Sequence, residues 1–558
     1  MKTTSPQSGV LHAENMELPR YSRRDTLLTM SGVLMVMLLS SLDQTVVAPA
    51  MPRVIADLQG FDRYTWVSTA YLLTSTVSVP IYGKLSDLFG RKRIFIVGLV
   101  LFLLGSGLSG ASQTMNMLIG FRAFQGLGAG ALMPIAIAIV GDLFTPRERG
   151  KWQGVTGAVF GLSSIVGPLI GGWLTEYASW RLIFYVNLPI GIIALLVLIF
   201  LMPTLQGAAK QVSIDYPGAT LLVLGTIPLL LGFTWAGTFY AWLSPQIIGL
   251  FVFAVIALTA FIFYETRLER RGGQPIIEPG LFKNRIFTVS VIVTVVFGMG
   301  LFGSIFFIPL FVQGVIGTSV TNSGLILTPL MLTSVVGSVI SGQLVSRLGK
   351  YKGIAIFGLV VTIIGGLLLL RLNIQSTNND VVIAMLVMGF GMGTGMSLYS
   401  LIVQNALPTK IGQATSALTF FRSIGGTIAL AAMGSIMNTL YLPAFQNALP
   451  SQVKQSIPPQ ALSYFDNPQI LLSPDILAKA RTAFTSTGPQ GLTLFNQILE
   501  AVKVGLVQGL HYVFVLSVVI LAIGLIALFF LPEIELRGKT RSHPLTAEQP
   551  PAQPTTAH

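Results

Sequence analysis

Residues 83–93 read GKLSDLFGRKR, and residues 342–352 read GQLVSRLGKYK. The two stretches align without gaps at an offset of 259 residues, and each joins one apolar run to the next. This offset fits two six-helix halves with two extra helices between them, whereas two seven-helix halves would shift the matching loop by one helix. Parallel repeated halves are typical of transporters that rock around a site near mid-membrane.

The composition indicates a protein that crosses a membrane many times. Of 558 residues, 52% are hydrophobic and 10% are charged, and the mean hydropathy is +0.74. Apolar runs recur that are long enough to cross a hydrocarbon core of about 30 Å as helices. The first run is too long for a cleaved signal peptide, and many further runs follow it. The sequence therefore predicts an all-α polytopic membrane protein.

Fourteen spans are predicted along the chain. They lie at 27–50, 64–82, 94–111, 115–140, 152–176, 183–202, 217–236, 246–264, 287–312, 322–345, 353–371, 381–403, 412–438 and 510–531.

The spans divide the chain into predicted regions. These are a cytoplasmic N-terminal tail (1–25), an N-terminal six-helix half (26–203), two additional helices (204–265), a cytoplasmic linker (266–286), a C-terminal six-helix half (287–531) with a long external loop (441–509), and a disordered cytoplasmic tail (532–558). Within the external loop, Phe495, Leu499, Val502 and Leu506 recur at helical spacing. That amphipathic helix either rests on the membrane surface or runs straight into the last span.

The basic residues predict the orientation. Of the 34 Lys and Arg, 24 lie on the side of the termini, 8 lie on the other side, and Arg122 and Arg422 lie within spans. The positive-inside rule therefore places both termini in the cytoplasm. Because the net charge of +13 follows from topology, nucleic acid is not an expected partner.

One acidic residue, Asp43, lies well inside a predicted span. A carboxylate at the centre of a membrane helix costs about 2.5–3.5 kcal/mol on insertion scales, so such residues face protein or water and usually have a function. Helix rise places Asp43 and Arg122 at similar depths, and Arg422 is a second or alternate partner. Asp43 is therefore the candidate proton carrier, or else it makes a structural hydrogen bond to a neighbouring helix.

The first repeated loop is a candidate cytoplasmic gate. Gly83 and Gly90 allow a close approach and a sharp turn, and Asp87 can face the positive end of a neighbouring helix, expected to be span 13. Three cations are its candidate partners: Arg91, Arg93 and Arg147. An ordinary turn with positive-inside charges would explain the arginines but not the glycines and the acid.

Span 5 contains two pairs of glycines at a spacing of four, Gly157 with Gly161 and Gly167 with Gly171. Such pairs let helix backbones touch, and Pro168 permits a bend. We expect these residues at the interface between the two halves.

Several motifs together resemble the major facilitator superfamily, and within it the fourteen-helix drug:proton antiporters of the EmrB and QacA type. The similar stretches are LDQTVVAPAMP (42–52), GKLSDLFGRKR (83–93), RAFQGLGAG (122–130), GAVFGLSSIVGPLIGG (157–172) and WRLIFYVNLPIG (180–191). The resemblance implies the major facilitator fold with 14 transmembrane helices, proton-coupled multidrug efflux, and antiporter packing by the span 5 glycines. It also implies a location in the cell membrane, which we expect to be a bacterial inner membrane.

The substrate is expected to be a small lipophilic or amphipathic compound, with export of a specific lipid or metabolite as the alternative. Amides are the candidate cavity residues: Gln44, Gln125, Gln313, Gln404 and Asn405.

Cys is absent and four His are scattered, which argues against a metal site or thiol chemistry. No HExxH, GxSxG or GxxxxGK[ST] motif is present, so neither an enzyme nor an ATP-driven pump is expected. The predicted protein is a monomer without a cofactor that is driven by the proton gradient.

Overall fold

The computed structural model describes residues 22–58, 65–203, 213–237, 239–317, 327–396, 398–458, 462–466, 471, 474–485 and 489–536. Twelve helices in this part of the chain are long and apolar enough to cross a membrane. The predicted count of fourteen is not confirmed. Thr65–Phe89 is helical but is not one of the twelve, and Arg285–Phe311 contributes only shorter apolar segments. The predicted tails lie mainly outside the described residues.

The N-terminal half consists of α1 (Arg23–Leu58), α2 (Thr65–Phe89), α3 (Arg91–Gly110), α4 (Met115–Leu143), α5 (Pro146–Tyr177), the short α6 (Leu182–Tyr185) and α7 (Asn187–Leu201). Local chemistry sets several of the helix ends. The Thr114 hydroxyl caps α4 by accepting from the Met117 amide (3.2 Å), and the Glu148 carboxylate accepts from the Thr145 amide (3.1 Å) at the start of α5. The main apolar cluster of this half is drawn from positions 33–202, and a second from positions 46–184.

Two further helices follow, α8 (Tyr216–Trp235) and α9 (Pro245–Arg270), and they pack against each other. Asp215 caps α8 by accepting from the Gly218 amide (2.8 Å), and Ser244 caps α9. The chain then crosses a linker that includes a 3₁₀ turn at Pro279–Lys283.

The C-terminal half begins with α10 (Arg285–Phe311), which continues into a π-helical turn at Val312–Ile316. It goes on with α11 (Thr328–Leu348), α12 (Lys352–Leu369), α13 (Asn378–Met396), α14 (Leu398–Ala406), α15 (Ile411–Ala448), α16 (Ser451–Ser456), α17 (Pro474–Thr485) and α18 (Pro489–Phe529). Its main apolar cluster is drawn from positions 286–536.

The repeated loops make equivalent turns and equivalent contacts. Gly90 and Gly349 are the matched turn residues, with φ of 92° and 69°, a left-handed conformation that favours glycine. The matched glycines that open the two stretches each touch the opposite half of the molecule. Gly83 on α2 packs against Ser416 of α15, and Gly342 on α11 packs against Gly150 of α5 so closely that a Cβ on either glycine would overlap the other backbone. The repeat therefore marks the place where the halves meet.

These contacts lie at one end of the bundle. The Lys92 ammonium donates to the carbonyl of Ile199 (2.8 Å) near the end of α7, and the Lys352 ammonium donates to that of Phe529 (2.9 Å) at the end of α18. We call this end, which holds the turns at Gly90 and Gly349, the termini side. The arrangement agrees with the predicted alternation of helix direction, while the compartment that each side faces stays a prediction.

Two helices are far longer than a membrane requires. At about 1.5 Å per residue, the 38 residues of α15 and the 41 of α18 exceed a 30 Å core roughly twofold. The amphipathic run predicted in the external loop is the first part of α18 and is continuous with the last span. Phe495, Val502 and Leu506 are buried against the far end of α15 and the connecting loop. Of the two predicted alternatives, the structure shows the extension and not a surface helix.

This extension provides a test of its packing. Phe465 in the connecting loop is 1% exposed, its carbonyl accepts from the Tyr441 hydroxyl (2.6 Å), and the neighbouring Tyr464 is 74% exposed. Phe465→Ala should destabilise the extension by about 3–5 kcal/mol because it empties a packed site. Tyr464→Ala should change its stability by less than about 0.5 kcal/mol. Hydrogen exchange of the amides in 441–448 and 489–506 measures both, and equal protection in the two variants would contradict the packing.

Candidate functional site

Asp43 on α1 is fully buried, and both of its carboxylate oxygens accept hydrogen bonds. Oδ2 accepts from Nη1 of Arg122 (2.8 Å). Oδ1 accepts from Nε2 of Gln125 (2.9 Å) and from Nδ2 of Asn187 (2.9 Å). The structure therefore brings together the acid and the arginine that the sequence placed at similar depth. Three N–H donors from three side chains thus converge on one buried carboxylate.

The donors are held by several helices. Arg122 and Gln125 lie three residues apart on α4, on one face of the helix, and Arg122 Nη1 also donates to Gln125 Oε1 (2.8 Å). Asn187 is the first residue of α7 and also donates to the Ser106 hydroxyl on α3 (3.0 Å). We call Asp43, Ser106, Arg122, Gln125 and Asn187 the Asp43 cluster. It joins α1, α3, α4 and α7 through one polar network.

Arg122 has a second kind of contact. Its guanidinium carbon lies 4.1 Å from the centre of the Tyr71 ring on α2, in cation–π geometry. The Nε of Arg122 and the Oδ1 of Asn187 are buried and have no hydrogen-bond partner among the described residues. The cluster thus keeps one free donor and one free acceptor, which another arrangement of the same side chains can use. The guanidinium would stay partly stabilised by the ring if Asp43 were neutralised.

Asp57, on the same helix, shows a different environment. Its side chain is 48% exposed at the far end of α1, where it forms an ion pair with Arg181 (2.8 Å). Hydrogen bonds from the Trp180 indole and from Arg181 hold the pKa of Asp57 below its usual value. This acid remains charged over the physiological pH range, so it serves as a reference for the buried Asp43.

The structure corrects one expectation about the cluster, which concerns Arg422. All five members of the cluster belong to the N-terminal half. Arg422 on α15 forms no ion pair with any described residue and packs along Gly298 of α10. Arg422 is therefore not a partner of Asp43 in this conformation. The two arginines lie on helices of different halves, Arg122 on α4 and Arg422 on α15.

The five amides predicted to line a substrate cavity are spread over different places. Gln125 belongs to the Asp43 cluster. Gln404 is buried and donates to the Ile137 carbonyl of α4 (3.2 Å), and Asn405 donates to the Glu535 carbonyl (3.3 Å), so both are structural residues near the termini side. Gln44 is exposed on α1, and Gln313 is partly buried in the π-helical turn. A common cavity for all five is therefore wrong for this conformation.

In the predicted gate, Asp87 lies at the start of α15, the helix that corresponds to predicted span 13. Asp87 pairs with Arg91, and its Oδ2 accepts from the Gln413 amide (2.9 Å) in the first turn of α15. A carboxylate at this position meets the unsatisfied amides and the positive end of the helix dipole. The contact crosses from the N-terminal to the C-terminal half at the termini side.

The cations of the gate differ in part from the prediction. Arg91 is buried and bridges Asp87 to Asp142 of α4 (2.7 Å from Arg91 to Asp142), an acid that is not among the predicted gate residues. Arg93 is exposed, and the side chain of Arg147 lies outside the described residues. Among the described side chains, Arg91 is therefore the predicted cation that pairs with Asp87, and it also pairs with Asp142.

Helix α5 connects the two sites, and its two glycine pairs have different partners. Gly157 and Gly161 pack against α11 of the opposite half, as predicted. Gly167 and Gly171 pack instead against Thr45 and Val46 of α1 in the same half, so their predicted place between the halves is wrong. Pro168 lies within the helix, in the segment that meets α1. One end of α5 thus touches the helix that carries Asp43, and the other end touches the opposite half.

Sequence reasoning missed Asn187, which completes the Asp43 cluster. Two signals in the sequence point to it: it lies in the quoted motif WRLIFYVNLPIG (180–191), and it is an amide near the start of an otherwise apolar run. Gln413 was also missed, because its role depends on a backbone amide and not on its side-chain type.

Three comparisons relate this chain to known proteins. The sequence profile of the Major Facilitator Superfamily matches residues 33–430. The Multidrug transporter protein MdtP of Bacillus subtilis (strain 168) is 39% identical over 535 residues, which cover 93% of this chain and 95% of that protein. Multidrug resistance protein 3 of the same organism is 36% identical over 524 residues, or 94% and 98% of the two chains.

Among solved structures, the proton:xylose symporter XylE bound to 6-bromo-6-deoxy-D-glucose matches with a TM-score of 0.55 and 13% identity. The match covers 92% of this chain and 98% of that chain. At this identity the likeness shows the fold alone.

The ion pair in the Asp43 cluster predicts a non-additive effect on stability. Arg122→Ala should destabilise the protein by about 3–5 kcal/mol because it leaves a buried acid without its cation. Adding Asp43→Asn to Arg122→Ala should recover a large part of that loss, since no unpaired charge remains. Steric trapping or thermal unfolding in detergent measures the four proteins of this cycle. Strictly additive losses would show that the two side chains do not interact.

The contact at Gly83 predicts an effect on the closed state. An added Cβ would overlap Ser416, and overpacking of this kind typically costs about 1–3 kcal/mol. Gly83→Ala should therefore shift the closed-to-open ratio at the termini side at least about fivefold toward open. Spin labels at Lys151→Cys and Lys350→Cys, both exposed, report the distance across the halves in a chain that has no cysteine of its own.

The same label pair supplies the controls. The double variant Gly83→Ala with Ser416→Gly removes the overlapping side chain and should restore the closed distance. Gly120→Ala places its Cβ where nothing lies within 4 Å and should leave the distance unchanged. An unchanged distance in Gly83→Ala alone would mean that this contact does not hold the gate.

Proposed function

Because the chain belongs to the Major Facilitator Superfamily, whose members are transporters and not enzymes, we propose that it is a proton-coupled antiporter. It exports lipophilic or amphipathic compounds by alternating access and so confers multidrug efflux. The observation that carries the proposal is the buried ion pair between Asp43 and Arg122 inside a membrane helix. Two relatives at 36–39% identity support the substrate class, since one is named a multidrug transporter and the other a multidrug resistance protein.

The coupling step is an exchange of partners at Asp43. In the conformation with the termini side closed, Asp43 is ionised and bound to Arg122 and two amides. A proton from the outside neutralises the carboxylate and releases the guanidinium, which the Tyr71 ring still stabilises. One charge moving through 100 mV contributes about 2.3 kcal/mol, and the pH gradient adds to this. That energy is comparable to the strength of a buried pair, so it can change the conformational equilibrium.

Helix α5 transmits the change to the opposite half. The Thr45 hydroxyl, two residues after Asp43, donates to the Ser163 carbonyl of α5 (3.1 Å). The start of the same helix packs through Gly150 and Gly157 on α11. A shift of α1 on neutralisation therefore moves a helix that the gate depends on. The termini side then opens, and substrate enters from the cytoplasm.

The remaining features of the proposal follow from the sequence. They are fourteen membrane spans of the EmrB and QacA type, both termini in the cytoplasm, a bacterial inner membrane, and a monomer without ATP or another cofactor. The described part of α11 contains no acidic residue, and the same holds for the membrane-depth part of α15. This favours neutral or weakly charged amphiphiles over strongly cationic drugs.

Proteoliposomes test the coupling directly. With an imposed proton gradient, Asp43→Asn should lower the flux of a lipophilic dye at least about tenfold, equivalent to about 1.4 kcal/mol in the barrier. Dye binding should change less than about twofold, because the residue is enclosed among protein groups. Asp57→Asn, an acid on the same helix with its own arginine, is the matched control and should transport like the wild type.

Two outcomes would overturn the proposal. Gradient-driven dye flux that persists in Asp43→Asn would remove this residue from the coupling step. Saturable, proton-driven movement of one lipid or metabolite, with no dye flux in the wild type, would replace multidrug efflux by specific export.

A further inference from the structure

Glu265, near the termini-side end of α9, is a buried acid that the proposed transport step does not use. It is 0% exposed, and neither carboxylate oxygen receives a hydrogen bond of normal geometry from a described residue. The other acids discussed above all have donors: Asp43, Asp57 and Asp87 each accept from a side chain or an amide. A fully ionised carboxylate in such a place is costly, which points to a proton on or near Glu265.

The side chain that faces the Glu265 carboxyl group is a second acid. Asp215, the cap of α8, is also buried, and its Oδ1 accepts from the Gly218 amide while its Oδ2 has no donor. Asp215 Oδ2 and Glu265 Oε1 converge on the same point above Gly218, where an added Cβ would overlap both. Two ionised carboxylates this close repel each other. One proton shared between them removes the repulsion and supplies the donor that both oxygens lack.

The charged groups around the pair are few. On its own helix Tyr264 interacts with Asp215, and Glu269 accepts from the Gly280 amide. From α2, Lys84 attracts the Glu265 carboxylate but is shared with Glu278 of the linker (3.5 Å), which also pairs with Lys410. Since the nearest cation is divided between two acids, it does not neutralise the Asp215–Glu265 pair by itself.

The pair adjoins the gate through the linker. The backbone of Ile276 lies next to Glu265, and its carbonyl accepts from Gln413 Nε2 (2.7 Å). The amide of the same Gln413 donates to Asp87, the acid of the gate. Ile276 and Ile277 are buried in one cluster with residues of α8, α9 and α15. A change in the separation of the two carboxylates would therefore displace the segment that Gln413 holds.

We propose that Asp215 and Glu265 form a second proton-binding site, which holds one shared proton and keeps the linker seated against the closed gate. Loss of that proton to solvent drives the carboxylates apart, moves Ile276 and weakens the contact between Gln413 and Asp87. The site gives the two central helices a role in sensing pH on the termini side. It is separate from Asp43 and requires no substrate, so it stands or falls independently of the transport function proposed above.

The label pair at Lys151→Cys and Lys350→Cys in nanodiscs tests the proposal without substrate. Between about pH 6 and about pH 10, a range that includes the raised pKa values documented for buried carboxyl groups, the wild type should shift at least about tenfold from closed to open. Glu265→Gln replaces the shared proton by a permanent N–H donor. It should reduce the shift to less than about twofold.

Asp215→Asn is the second variant, because an asparagine can still cap α8 and donate to Glu265. Glu269→Gln, an acid one turn further along the same helix, is the matched control and should keep the wild-type response. Thermal unfolding should follow the same pattern. Loss of the shared proton at high pH leaves two like charges side by side in the folded state, so the unfolding temperature of the wild type should fall toward pH 10 and that of Glu265→Gln should not.

Two results would overturn the proposal. The first is an alkaline shift of equal size in the wild type, Glu265→Gln and Asp215→Asn, which would place the titrating group elsewhere. The second is a closed-to-open ratio that responds to sodium or potassium at fixed pH and loses this response in Glu265→Gln, which would make the pair a metal-cation site.

Discussion

The ion pair between Asp43 and Arg122 lies at the centre of a polar network that joins four helices of the N-terminal half. The bilayer offers no water to a charged side chain, so an ionised acid in α1 requires a complete set of donors from protein. Arg122, Gln125 and Asn187 provide that set from α4 and α7, and Ser106 of α3 orients the asparagine. The packing of four helices is thereby tied to the charge of one carboxyl group. In the proposed coupling step, a proton on Asp43 would alter that packing because it removes the charge on which the donors converge.

The contacts between the halves are made of small residues and backbone and not of large side chains. Gly83 and Gly342, the matched residues of the repeated loops, each let a helix of one half lie directly on a helix of the other. Asp87 strengthens one of these contacts by meeting the first amides of α15, and the second copy of the loop has Ser346 at the matching position. The gate is thus symmetric in shape but not in charge. Such an interface is closely packed yet separable, because few bonds must break for it to open.

Much of this could be read from the sequence, and the reasons are physical. The matched glycines follow from the 259-residue offset, and the approach of Asp43 to Arg122 follows from helix rise alone. The sequence does not reveal which face of a helix meets which neighbour. For that reason Gln404 and Asn405 were assigned to a cavity although they bond to carbonyls near the termini side, and Gly167 and Gly171 were assigned to the wrong interface. Glu265 was overlooked because it lies one residue beyond the predicted end of its span, where an acid is ordinarily exposed.

Infrared difference spectroscopy of the reconstituted protein can show whether Asp43 exchanges its guanidinium partner for a proton. As the pH is lowered, a carboxylic acid band should grow that is absent in Asp43→Asn and is shifted in Arg122→Ala. A titration that is unchanged by Asp43→Asn would show that this carboxyl group does not bind a proton, and would rule out the proposed coupling step.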